Sequence, residues 1–335
     1  MAEVKIRSHL LESGMELARD VSKEGILLIK KDTELNGKLI KQLIYNDIPM
    51  VWIYEESRSE HFQAYQENYN NFADVVKLVR EDQPVELKLV KPIIDNFNEV
   101  NSHQSLLSYI YGIRRFDQYT YNHSLNVSYL ALMLGKWSNY PDNEMLALAG
   151  VLHDVGKVKI KNNILNKPGP LTDMEWEEMK KHPYLGYKVV EKSPGMPQDV
   201  LPGVLYHHER VDGSGYPEGL AGEEIPELAR IIAIVDVFDA LTSRRVYREK
   251  KDVFEVLQFM HDKYHEFDLK YLRIFTENML DFLVGEKVLL SDDRLGKIVF
   301  KNPIKPFAPL IQTDDGFVDL SKEKDIKIAK VLTER

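Results

Sequence analysis

The sequence predicts a mainly helical protein, with a small α+β unit at the N-terminus and a small β-rich segment at the C-terminus. Three observations carry this. Apolar residues recur at helical spacing through the middle of the chain. Thr172-Asp173-Met174-Glu175 has the pattern of a capping box, a helix start. Short apolar runs broken by turn residues occupy both ends. The 335 residues, 44% hydrophobic and 29% charged, have the usage of an ordinary globular chain and room for about two or three units.

Residues 1–54 form the α+β unit. Apolar runs Met15 to Val21 and Ile26 to Ile29 flank Ser22-Lys23-Glu24-Gly25, a turn. Leu39, Ile40, Leu43 and Ile44 have helical spacing, and Ile48 to Tyr54 reads as a strand. Residues 55–100 are polar, with sparse apolar positions such as Phe72, Val75, Val76 and Val79. They read as a helical linker broken at Pro84 and Pro92. Residues 101–283 form the helical domain, with stripes over 125–134 and 145–152 and a capped helix running toward His182. Glu227 to Ser243 is so apolar that it must be buried on most sides. In 284–335, two strand–turn–strand patterns form the β-rich segment, with turns at 291–296 and 313–316.

Composition narrows the function. The net charge of −9 disfavours sequence-independent binding of a nucleic-acid polymer. An anionic substrate must therefore meet a local cationic site. The absence of cysteine excludes disulfides, thiolate metal sites and cysteine nucleophiles. No apolar run approaches the roughly 18 residues of a membrane span, and Met1-Ala2-Glu3-Val4-Lys5 opens no signal core, so a cytoplasmic location is expected.

Of the ten histidines, five need explanation: His123, His153, His182, His207 and His208. His153-Asp154 closes an apolar run, where an imidazole and a carboxylate are costly unless paired or metal-bound. Lys157 follows after Gly156. A hydrogen-bonded helix end is the plainer reading of this pair. His207-His208 are neighbouring imidazoles that repel when protonated, so a cation between them is a natural solution. The glycine-rich stretch 211–217 after them reads otherwise as a surface turn. Asp236 lies inside the apolar helix, with Asp239 one turn on, placed to orient a ligand. A pair with Arg244 or Arg245 would equally compensate it. Together these supply seven nitrogen and oxygen ligands, enough for two metals sharing a carboxylate. Imidazole and carboxylate without thiolate suit iron or manganese, with zinc or nickel as further candidates. His9, His61, His103, His261 and His265 have no special neighbours.

The order His123, His153-Asp154, His182, His207-His208, Asp236, with Gly215-Tyr216-Pro217, resembles the HD-GYP family of cyclic di-GMP phosphodiesterases, a branch of the HD phosphohydrolases. The likeness covers roughly residues 101–283 and extends through 153–157, 164–169, 207–220 and 229–243. It implies an HD-type helical bundle. It also implies one metal on His123, His153, Asp154 and Asp236, and a second on Asp154, His182, His207 and His208, so that Asp154 bridges. Lys157 would contact the scissile phosphate, Arg245 and Arg248 other substrate phosphates, and Tyr216 would shape the site. Some members carry a glutamate one turn before the first histidine and bind a third metal. Tyr119 stands there, so two metals are expected. Arg245-Val246-Tyr247 replaces the frequent Arg-Pro-Tyr, a change of modest consequence.

The implied activity is metal-dependent hydrolysis of cyclic di-GMP to linear pGpG and/or GMP, by in-line attack of a metal-activated hydroxide with Asp154 and Lys157 at its centre. The alternatives are hydrolysis of another cyclic dinucleotide, such as cyclic GMP-AMP, and a catalytically silent signalling scaffold. The N-terminal unit would sense a signal or pack, and a homodimer through residues 55–100 is compatible with the helical reading.

Overall fold

The computed structural model describes residues 3–8, 11, 14–23, 25–54, 60–99, 119–243 and 251–332. The N-terminal unit is built from β1 (Glu3–Arg7), β2 (Val21–Lys23), β3 (Ile26–Ile29), α1 (Gly37–Tyr45) and β4 (Met50–Tyr54). β2 and β3 pair as a hairpin, but β2 takes in Ser22 and Lys23, expected in the turn, and only Val21 of the run Met15 to Val21, and β1 pairs antiparallel with β4. The Asn36 side chain caps α1 by accepting from the backbone N–H of Lys38 and Leu39. Leu11, Met15, Leu17, Leu43 and Ile53 bury together as this unit's core. β1 was not expected, although Glu3, Lys5 and Arg7 alternate with Val4 and Ile6 in the period-two pattern of a half-buried strand.

Two helices follow, α2 (Glu60–Arg80) and α3 (Leu87–Glu99). Pro84 separates them, but Pro92 lies inside α3 and does not break it. Its ring forfeits the bond to the Lys88 carbonyl. Burial of Val90, Ile93, Ile94 and Phe97 nevertheless holds the helix against the core.

The central helices are α4 (Tyr119–Ser138), α5 (Asn143–Leu152), α6 (Asn162–Leu165), α7 (Asp173–Met179), α8 (His182–Glu191), α9 (Leu201–Tyr206), α10 (Glu227–Thr242), α11 (Val253–Asp262) and α12 (Leu269–Leu283). Thr172 and Glu175 form the capping box of α7. That helix stops at Met179, and a new one starts at His182 with Pro183 in its first turn, where proline's missing N–H costs nothing. α10 is buried on most sides, as its composition demands.

β5 (Lys287–Leu290), β6 (Leu295–Phe300), β7 (Leu310–Thr313), β8 (Gly316–Asp319) and β9 (Ile328–Leu332) form one antiparallel sheet in the order β8-β7-β6-β5-β9. The two hairpins were expected and β9 was not. One continuous core joins Phe72 of α2, the helices, and Val288, Ile298, Ile311 and Val331 of this sheet. The architecture is therefore mainly α, with an α+β N-terminal region and a β-rich C-terminal sheet, as the sequence predicts. Among the described residues, no helix is long and apolar enough to cross a membrane.

Candidate metal centre

Helix ends deliver the polar residues. His123 lies in the second turn of α4, His153 and Asp154 follow α5, His182 opens α8, His207 and His208 follow α9, and Asp236 comes from within α10. The five histidines and two aspartates that the sequence singles out thus converge from five helices. Gly156 is what lets two of these segments meet. A Cβ there would lie 2.0 Å from the His182 carbonyl oxygen and 2.4 Å from the Gly186 nitrogen. Only glycine allows the turn after Asp154 to rest on the start of α8.

Two groups of ligand atoms result: His123, His153 and Asp236, and Asp154, His182, His207 and His208. Within each group the ligand atoms lie within 4.8 Å of one another. Asp154 faces both. Its Oδ2 is 3.5 Å from His123 Nε2 and 3.3 Å from His153 Nε2. Its Oδ1 is 3.2 Å from His182 Nε2 and 3.8 Å from His207 Nε2. Asp236 places Oδ1 3.1 Å from His123 Nε2 and Oδ2 3.7 Å from His208 Nδ1.

The outer ring nitrogens fix which atoms face inward. Nδ1 of His153, His182 and His207 donates to the carbonyls of Gly150 (2.7 Å), Met179 (2.8 Å) and Val204 (2.9 Å). His123 Nδ1 lies 2.7 Å from Asp239 Oδ2, and Asp239 also accepts from Asn126 and Ser243. Asp239 thus occupies the outer nitrogen of His123. With Nδ1–H committed outward, each neutral ring turns an Nε2 lone pair inward. His182 and His207 bring two such nitrogens to 3.4 Å with no proton to share, and the buried Asp154 Oδ1 has no hydrogen-bond partner. Inward lone pairs beside an orphaned carboxylate oxygen are what a divalent cation satisfies. The residues present fit a metal.

The ionisation states agree. Burial, then neighbouring imidazole charge, holds His207 and His208 well below the usual imidazole range, and burial lowers His182. Burial opposes ionisation of Asp154 and Asp236. Burial is the largest single influence on each, but Lys157 together with His153 and His182 outweighs it for Asp154, and His123 together with His208 and His153 outweighs it for Asp236, so both stay far below the usual carboxylate range. Burial also opposes a proton on His123, but Asp236 and Asp239 raise it to about 9. That proton sits where a cation would replace it.

At the rim, the Lys157 ammonium pairs with Asp154 Oδ2. Tyr216 stacks on His208, ring centroids 4.6 Å apart, and its N–H donates to the His208 carbonyl. Gly215 packs so closely that a Cβ would lie 2.4 Å from Glu209 Cα and from the Arg210 nitrogen. Glu209, which follows His208 directly, is buried. Its carboxylate accepts from the backbone N–H of Glu218 (2.8 Å), Gly219 (3.1 Å) and Leu220 (3.1 Å). This closes the loop that carries Tyr216. Its partners lie nine to eleven residues away, beyond the reach of spacing arguments. Arg245 and Arg248 lie outside the described residues, as do Arg244, His9 and His103. His261 and His265 sit beside Phe307 and Tyr264 and join neither ligand group.

The family described as HD domain matches residues 93–270, more than half of the chain. The chain belongs to the HD domain family. It is 35% identical over 233 residues to the cyclic di-GMP phosphodiesterase PA4108 of Pseudomonas aeruginosa, covering 68% of this chain and 56% of that one. It is 36% identical over 182 residues to the cyclic di-GMP phosphodiesterase response regulator RpfG of Xanthomonas campestris, covering 52% and 48%. It is 39% identical over 142 residues to a 3'3'-cGAMP-specific phosphodiesterase of Vibrio cholerae, covering 42% and 27%. The chain thus spans about half the length of the first two relatives. Among solved structures, Bd1817, an HDG"Y"P protein from Bdellovibrio bacteriovorus, shares the fold with a TM-score of 0.50 at 18% identity, covering 83% of this chain and 99% of that one. The resemblance to the HD-GYP branch of the HD domain family is borne out.

Proposed function

We propose that this HD domain protein is a metal-dependent phosphodiesterase that hydrolyses cyclic di-GMP to linear pGpG and/or GMP. One observation carries the reading: a single buried carboxylate, Asp154, turns one oxygen to each of two groups of inward-facing imidazoles. His123, His153, Asp154 and Asp236 would hold one ion, and Asp154, His182, His207 and His208 a second. Iron or manganese suits these ligands best, with zinc or nickel as alternatives. Two such ions would lower the pKa of a water and neutralise the non-bridging oxygens of a phosphodiester.

The chain's own residues do the rest. Asp239 holds the His123 ring so that its Nε2 faces inward. Lys157, only 21% exposed and anchored beside Asp154, keeps a positive charge where a phosphate must sit and offsets the charge that develops in the transition state. Tyr216 covers His208 and limits water at the mouth. Arg245 and Arg248 are proposed contacts for the remaining phosphate. Residues 101–283 are proposed as the catalytic domain, 1–54 as a separate α+β domain and 284–335 as a β-rich appendage. The helices of 55–100 join the first two and pack on the catalytic core through Phe72, Val76 and Ile93. A homodimer through that segment and a cytoplasmic location complete the proposal.

Cyclic GMP-AMP is the second substrate reading, favoured by the Vibrio cholerae relative. Anaerobic purification, metal analysis and incubation with each cyclic dinucleotide test the proposal. About two metals per chain and appearance of pGpG or GMP are expected. Faster turnover of cyclic GMP-AMP would move the substrate. No bound metal, with no turnover after adding Fe²⁺ or Mn²⁺, would leave the silent scaffold.

A further inference from the structure

None of the residues of α7 is buried, yet this short helix carries a tryptophan. Trp176 is 46% exposed and its neighbour Met174 is 86% exposed. Leaving an indole half in water forgoes the apolar burial that usually places this residue. The helix is nonetheless held firmly. The Thr172 hydroxyl accepts from the Glu175 N–H, and the Glu175 carboxylate accepts from the Thr172 N–H at 2.8 Å and from Lys167 Nζ at 2.5 Å. The tryptophan is fixed in place without being packed away.

Its position explains this. The Trp176 ring meets Tyr216 edge-to-face, centroids 6.1 Å apart and planes at 78°. Tyr216 in turn lies nearly parallel to His208, planes at 29°. Three rings therefore step from the ligand cluster out to solvent. One side of Tyr216 is taken by His208, whereas much of the indole is open. In a nucleotide the base is one ribose away from its phosphate. A phosphate seated beside Lys157 and the histidines would carry its base toward this outermost ring.

We propose that Trp176 is a nucleobase-stacking residue, binding a purine of the cyclic dinucleotide at the mouth of the site. The inference rests on the phosphodiesterase reading and deepens it. Stacking uses the π-face that every base has, so it supplies affinity without choosing between guanine and adenine.

The test uses the Mn²⁺-loaded full chain with cyclic di-GMP and cyclic GMP-AMP. Trp176→Ala should raise KM roughly tenfold for both substrates, the scale of one base–aromatic stack, with kcat within about twofold and metal content unchanged. Trp176→Phe should recover most of that loss. Cyclic di-GMP should quench tryptophan emission in the wild type on mixing. The quenching should vanish in Trp176→Phe, although Trp52 and Trp137 remain. An unchanged KM in Trp176→Ala, or a fall in kcat accompanied by metal loss, would overturn the stacking role while wild-type turnover kept the phosphodiesterase reading intact. Neither turnover nor quenching in the wild type would sink that reading and this inference together.

Discussion

The ligand cluster and the rim above it are built by opposite means. In the cluster, His123, His153, Asp154, His182 and His207 are at most 2% exposed, and each ring has its outer nitrogen tied to a carbonyl or to Asp239. On the rim, α7 buries nothing, Trp176 stands half in water, and the Tyr216 loop depends on one buried glutamate. The cluster is fixed by these buried hydrogen bonds, the kind of preorganisation that electrostatic catalysis would use. The rim is held by a few replaceable polar contacts. Damage to the cluster should therefore show in metal content and kcat, and damage to the rim in KM.

The largest effect belongs to Asp154→Ala. It removes the one group shared by both sets of imidazoles, so metal content should fall and turnover should drop by at least about a thousandfold, a loss of around 4 kcal/mol of transition-state stabilisation. Wild-type metal content in that variant, measured by elemental analysis, would break the assignment of the bridge.

Asp239→Asn should come next. The amide keeps a contact to His123 but loses the charge and one of two acceptor oxygens that now serve His123, Asn126 and Ser243. Loss of such a supporting carboxylate costs about 10–100-fold in metal affinity. Titration with Mn²⁺ should find the loss in affinity, with kcat largely restored at saturating metal. A KM effect without a metal effect would blur the line between cluster and rim.

Much of this contrast was legible in the sequence, and unevenly. The cluster residues declare themselves because imidazoles and carboxylates stand where apolar helices demand burial: His153-Asp154 after Leu152, and Asp236 between Val235 and Val237. Burial there needs a compensating partner, so the sequence alone points to one. Asp239 could be read from helical spacing, although its partner proved to be His123 on a distant helix. The rim hides its logic. Glu209 is polar in a polar stretch, and only the fold shows three backbone donors closing on it. Trp176 looks like any aromatic on a capped helix, and its exposure depends on what does not pack against it. The same limit applies to the fold. Apolar periodicity gave the central helices, while β9 went unseen because its apolar residues do not alternate, and β1 because an alternation of only five residues is a weak signal although it is regular.

Glu209→Gln tests the rim's anchor. The amide offers a single acceptor oxygen where the carboxylate satisfies three N–H groups, and it turns its NH₂ toward one of them. A buried donor left unpaired costs about 1–3 kcal/mol. The loop carrying Tyr216 should loosen, with KM rising about fivefold or more while metal content stays at the wild-type level. Hydrogen exchange should rise at 218–220. Loss of metal in this variant would mean that the loop also supports His207 and His208.

The smallest effect tests whether the rim is separable at all. Thr172→Ala removes one hydroxyl of the α7 capping box, a change worth about 1 kcal/mol to a helix. Because α7 buries none of its residues, that loss should remain local. Faster hydrogen exchange should be confined to residues 173–179, because a global loss of that size would move the unfolding midpoint of so long a chain by only about 1–2 °C. If Trp176 stacks on a base, fraying its helix should still raise KM about two- to threefold at constant kcat, the part of a stack lost when its platform is only intermittently in place. Faster exchange spreading from α7 into the core helices would show α7 to be coupled to the core after all. The cluster and the rim would then be one cooperative unit rather than two.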